Sequence, residues 1–178
     1  LADSNGRALW ALGYLISLKD HFPATLIAEA EQLFQCTLVS SNHIHSTRAM
    51  AFIIKGLYYR NQKIKSVDAI DLLDKLAYRL VQMYKHEAED EWCWFESYLT
   101  YANSILPEAL LCAWLVTGNA IYGDIALTSF NFLLEKTFTS TGIKVISNKT
   151  WLQKDDTIKV VVRGGEQPID VAYTILTL

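Results

Sequence analysis

Apolar residues return every three or four positions through nearly the whole chain, in long stretches parted by short polar turns, and this period restricts the fold to packed helices. The spacing predicts helices over Gly6 to Leu18, Pro23 to Leu38, Ser46 to Tyr59, Ser66 to Glu87, Ser104 to Thr117, Ala120 to Phe138, and from Gln167 onward. Punctuation agrees with these limits. Pro23, Pro107 and Pro168 stand where a first helical turn tolerates proline, and Gly118-Asn119 ends one helix before another begins. The fold class expected is all-α.

The helices alternate in character. Those starting at Gly6, Ser46, Ser104 and Gln167 are short and apolar on most sides, whereas Ser66 to Glu87 carries a charged face with Asp68, Asp71, Asp74, Lys75, Arg79 and Lys85. Four inner helices ringed by three outer ones follow from that alternation. Weak internal similarity supports a repeat: Gly6-Arg7-Ala8-Leu9-Trp10-Ala11 is echoed by Thr47-Arg48-Ala49-Met50-Ala51-Phe52, and Leu106-Pro107-Glu108-Ala109 by Gln167-Pro168-Ile169-Asp170. Starts lie roughly 40 to 60 residues apart, the period of stacked helical hairpins. One segment departs from helix. Between Thr139 and Arg163, the runs Ile143 to Asn148 and Thr157 to Arg163 are β-rich and predict a small hairpin with Asn148 and Trp151 near its tip.

At 178 residues the chain fits a single domain, which at this size hides roughly 70% of its unfolded surface. A net charge of −3 offers no basic footprint for nucleic acid. No apolar run approaches the ~20 residues that span a bilayer, so no membrane partner is expected. Cys36, Cys93 and Cys112 are odd in number and widely spaced, which predicts free thiols and a cytoplasmic setting. His43 and His45 lack an obvious third ligand, so neither metal nor cofactor is expected. The chain opens on Leu1 and closes within the apolar run Ile169 to Leu178, the look of a piece of a longer protein whose exposed terminal helices would self-associate or pack on an adjoining domain.

The richest chemistry lies in Asp90 to Asn103, where three carboxylates, an amide and five aromatic rings occur just before a helix. Rings stack on the C–H faces of sugars while acids and amides serve the hydroxyls, so the segment reads as the lip of a carbohydrate site. A buried aromatic hinge with its acids in water is the other reading. In a ring of hairpins the entries of the inner helices converge, bringing together Asp3 and Arg7, then Trp94, Glu96, Tyr101, Asn103 and Glu108, then Glu166, Gln167 and Asp170. Glycosidic-bond chemistry needs paired carboxylates, and Glu96 and Asp3 are the acid/base candidates. Each acid has a structural alternative. Asp3, Glu108 and Glu166 suit helix dipoles, Asp170 suits an ion pair with Arg7 or Arg163, and Glu96 suits a buried arginine. Trp10 and Trp114 sit mid-helix and read as core.

Asp3-x-x-Gly6-Arg7-Ala8-Leu9-Trp10-Ala11-Leu12-Gly13, Trp94-Phe95-Glu96, Leu99-Thr100-Tyr101-x-Asn103-x-x-Leu106-Pro107-Glu108-Ala109-Leu110-Leu111 and Glu166-Gln167-Pro168-Ile169-Asp170-Val171-Ala172 resemble the (α/α) toroid domain of bacterial glycosyltransferase-type proteins, within the six-hairpin glycosidase superfamily. The resemblance implies a funnel for a glycan, here in an incomplete ring. The hairpin with Asn148 and Trp151 at its tip reads equally as a structural flap or as a cover over a cavity mouth. It implies oligosaccharide as partner and an adjoining nucleotide-sugar domain as the seat of transfer chemistry. Where some members carry Tyr-Asp-Asn, this chain has Tyr101-Ala102-Asn103, so no acid role passes to the middle position. A glycoside hydrolase or sugar epimerase using the same cavity, and a non-catalytic helical scaffold for a partner protein, are the alternative functions.

Overall fold

The structure is a computed structural model that describes residues 2–39, 44–140, 142–147, 149–155 and 165–178. Seven α-helices make up most of it: α1 (Ala2–Ser17), α2 (Ala24–Val39), α3 (Thr47–Asn61), α4 (Val67–Glu87), α5 (Ile105–Thr117), α6 (Ala120–Thr137) and α7 (Pro168–Thr177). Their limits follow local chemistry. Ser46 and Ser66 accept the Ala49 and Ala69 amides at 3.3 and 3.4 Å, capping α3 and α4, and Asn119 accepts that of Ile121 to start α6. Gly118, at φ +72°, closes α5 in the left-handed conformation that costs glycine nothing. The first helix begins at Ala2 and not at Gly6, which places Asp3 inside its first turn, where a carboxylate meets the unpaired amides of the helix start.

The odd-numbered helices form a continuous row, α1 on α3, α3 on α5 and α5 on α7, while α2 packs on α1, α4 on α3 and α5, and α6 on α5 and α4. Helix α3 is therefore covered along nearly its whole length, including Arg48, Lys55, Arg60 and Asn61. Its contact with α1 is backbone on backbone. A Cβ at Gly13 would lie 2.1 Å from the Gly56 carbonyl oxygen, and one at Gly56 would lie 2.5 Å from that of Leu9. No side chain fits there, so these two glycines set how closely two parallel helices approach.

The β-rich segment pairs differently from the expected hairpin. Strands β1 (Tyr98–Leu99), β2 (Phe138–Thr139), β3 (Gly142–Ile143) and β4 (Leu152–Gln153) form two antiparallel pairs, Phe138 opposite Ile143 and Leu99 opposite Leu152. The first β-rich run thus begins by folding back on the end of α6, and β4 adds to the segment before α5. The second run, Thr157 to Arg163, and Asn148 lie outside the described residues. Trp114 also departs from expectation: it is 40% exposed, and its ring lies where a Cβ on Gly123 would meet it at 2.9 Å. Among the described residues, no helix is long and apolar enough to cross a membrane.

Candidate functional site

The starts of α1, α3, α5 and α7 meet at one end of the molecule. Asp3 of α1 accepts Ser46 Oγ at 2.8 Å on one oxygen and the Tyr101 phenol at 2.5 Å on the other. In the first turn of the neighbouring helix α3, Arg48 grips the loop before α5 at three residues: Nη1 donates to Glu96 Oε2 and Oε1 at 2.8 and 3.0 Å, Nε to the Tyr101 carbonyl at 2.8 Å, and Nη2 to Asn103 Oδ1 at 3.2 Å. Thr47 Oγ1 adds a hydrogen bond of 2.6 Å to Glu96. Asn103 also accepts the Thr100 amide and donates to the Thr100 carbonyl, which ties the loop into a knot before α5. At the start of α7, Asp170 accepts the backbone amide of Ala102. Ala102 has φ +50°, a left-handed conformation that an alanine rarely adopts, and the carboxylate holds its amide in place.

The electrostatics divide this cluster. Arg48 and Glu96 form a well-covered ion pair, their side chains 6% and 11% exposed, with both carboxylate oxygens engaged. The pair is a brace. Burial pushes the Asp170 carboxyl above its ordinary range, opposed by the Ala102 amide and the nearby Arg48 charge. Its second oxygen is buried without a hydrogen-bond partner among the described residues. Burial, then the hydrogen bond to Asp3, raises the Tyr101 phenol, so at neutral pH it is a donor and Asp3 an acceptor.

A column of polar and aromatic side chains continues inward from the mouth. Arg7 donates to the Tyr173 hydroxyl at 2.5 Å, and its guanidinium lies 4.3 Å from the centre of the Phe52 ring. Trp10 stacks on Phe52 with centroids 5.7 Å apart, and Lys55 Nζ sits 3.9 Å from the Trp10 ring centre and 2.6 Å from Glu108 Oε1. Burial lowers the Lys55 amine and raises the Glu108 carboxyl, each opposed by the attraction of its partner. Next along α5, burial raises the Cys112 thiol to about 12, so it stays an inert thiol at neutral pH. The positions Asp3, Arg7, Trp10 and Arg48, Phe52, Lys55 recur at helical spacing, which puts each set on one face of α1 or α3.

Asp3, Glu96, Tyr101, Asn103 and Asp170 are therefore brought together, and Arg7 and Glu108 belong to the column beneath them. Trp94 is not part of a lip. Its side chain is wholly buried against Phe95 and Phe132, so its face is unavailable to a ligand, and its indole nitrogen lacks a hydrogen-bond partner among the described residues. Trp92 is buried as well, giving its N–H to the Glu96 carbonyl at 2.8 Å. The aromatic hinge is the better account of those two rings. Trp151 is 48% exposed and lies on Tyr98 with centroids 5.1 Å apart, where β4 pairs with β1. Glu166 is exposed, and Gln167 precedes α7 with extended backbone and no side-chain cap. Arg48, Ser46, Phe52, Lys55 and Tyr173 were not among the expected site residues. The echo of Arg7 in Arg48 was their one visible signal.

Among the described residues, no three His, Cys, Asp or Glu side chains are grouped to hold a metal ion. A groove of about 510 Å³ lies on another face, lined by Leu38 of α2, Ile53 of α3 and residues of α4 that include Leu72, Tyr78 and Arg79. It shares no residue with the mouth. Comparison with protein-family models, with curated proteins and with solved structures finds no match to this chain.

Proposed function

We propose that this chain is the carbohydrate-handling part of a glycosyltransferase-type protein, an open segment of an (α/α) toroid that binds or processes a glycan at the shared entry of its odd-numbered helices. The observation that carries this reading is the convergence of Asp3, Tyr101, Asn103 and Asp170 from three distant segments around Arg48. Beside them, Arg7 and Trp10 are half-buried and the Tyr98–Trp151 stack stands at β1 and β4. Hydroxyl-matching groups next to aromatic faces suit a sugar.

The internal bonding divides the roles. Glu96, clamped by Arg48 and Thr47, and Asp3, held on both oxygens by Ser46 and Tyr101, keep the site's shape. Acids engaged in this way favour binding over hydrolysis, since hydrolysis requires two carboxylates with different protonation. Exposed Ile169, Ile175, Leu176 and Leu178 on and after α7 support packing against a second copy or an adjoining domain. Three free cysteines support a cytoplasmic setting.

Calorimetric titration with a panel of neutral and acidic oligosaccharides tests the reading, comparing the unaltered chain with Tyr101→Phe and Trp151→Ala. Saturable binding weakened by both changes is expected. Absence of binding to every glycan, with the fold intact, would contradict it and leave the helical scaffold.

A further inference from the structure

Three arginines of the helical body are withdrawn from solvent, and two of them have a carboxylate of their own. Arg48 chelates Glu96, and Arg60 of α3 chelates Glu31 of α2 with bonds of 2.9 and 3.0 Å from Nε. Arg7 is the exception. It is half-buried, it spends one N–H on the Tyr173 hydroxyl, and no carboxylate among the described residues lies within ion-pair distance of it. Asp3, one helical turn earlier, has both oxygens committed to Ser46 and Tyr101. A guanidinium over an aromatic ring regains only part of its lost hydration, and the remaining N–H donors need acceptors.

A second donor points the same way. Tyr173 is 4% exposed and accepts from Arg7, its own hydrogen has no acceptor among the described residues, and burial raises its pKa and keeps that hydrogen on. A planar fork of N–H groups beside a buried O–H matches a carboxylate bound on two oxygens. Arg7 supplies one positive charge, which one carboxylate neutralises, and the repulsion from Asp3 one helical turn away weighs more heavily on a dianionic phosphate than on a monoanion. Phe52, wholly buried beneath the guanidinium, packs on the half-buried Trp10 and holds Arg7 in place.

We infer that Arg7 and Tyr173 form a subsite for the carboxylate of an acidic sugar, so that the glycan taken at this mouth contains a uronic acid. The inference rests on the carbohydrate reading above. Its test is titration of the intact chain with a uronic-acid disaccharide, with the same disaccharide reduced at the carboxyl to a neutral alcohol, and with a sugar monophosphate. The acidic disaccharide is expected to bind roughly tenfold or more tightly than its neutral twin, with the preference shrinking as salt is added. Arg7→Met should bind both twins alike, Arg7→Lys should keep part of the preference, and Tyr173→Phe should reduce it while thermal melts stay cooperative. Equal binding of the twins by the unaltered chain would overturn the uronate assignment and leave the carbohydrate reading standing. Tighter binding of the phosphate would overturn the choice of carboxylate, and no binding of any sugar would overturn both readings.

Discussion

Arg48 and Arg7 occupy echoing positions near the starts of neighbouring parallel helices, and the chain uses them in opposite ways. Arg48 is 5% exposed and has its donors met by Glu96, the Tyr101 carbonyl and Asn103, so it welds the loop before α5 to the start of α3. Arg7 rests on Phe52 and reaches one hydroxyl. The difference separates a charge that specifies structure from a charge that is left over after structure is made. A buried cation with every donor met is expensive to disturb, whereas a half-buried one with spare donors is inexpensive to remove and available to a ligand.

Substitutions test the contrast in descending order of effect. Arg48→Met strands the Glu96 carboxylate and Asn103, and urea unfolding should show a loss of about 3 to 5 kcal/mol, the range for breaking a buried pair on one side. Glu96→Gln keeps the shape and two of the contacts but removes the charge, so its loss should be about 1 to 3 kcal/mol, read as a lower melting temperature. A smaller, pH-dependent effect belongs to Asp170. Because burial raises its folded pKa above the ordinary 3.8, the folded state holds the proton more firmly than the unfolded one, and stability should fall as pH rises from about 4 through the folded value. Asp170→Asn keeps an acceptor for the Ala102 amide and should flatten that part of the profile, measured as unfolding free energy between pH 3 and pH 8. The smallest effect is expected from Arg7→Met, below about 1 kcal/mol, because only a cation–π contact and one hydrogen bond are lost and the aliphatic stem still covers Phe52.

Much of the helical body was legible from residue order, because its signals are local. The periodicity in Ser66 to Glu87, the serines at 46 and 66 and the Gly118-Asn119 break each act within a turn or two, and the helices of the structure fall within a few residues of the limits they set. Residue order sets the start of α1 at Gly6 and the helix begins at Ala2, because Asp3 serves equally as an entry residue and as a first-turn residue. Long-range pairing was not legible. Leu99 finds Leu152 across α5 and α6, and nothing near Ile143 says that it turns back on Phe138. The convergence of Asp3, Tyr101, Asn103 and Asp170 followed from the repeat, since helices entered from the same side bring their starts together. What each residue does there was hidden. Trp94 and Trp151 look alike in sequence, yet one is sealed against Phe132 of α6 and the other lies open on Tyr98, partners that are distant along the chain. Arg48 looked like one cation among sixteen, because burial with a distant carboxylate leaves no local mark.

The division of labour between the two arginines rests most directly on the coupling between Arg48 and Glu96, measured by a double-mutant cycle of Arg48→Met, Glu96→Gln and the pair in urea unfolding. A coupling free energy of about 2 kcal/mol or more is predicted, with the double variant less destabilised than the sum of the singles. Additive losses with a coupling near zero would contradict the account, because Glu96 would then be free of Arg48 and available as an acid in its own right.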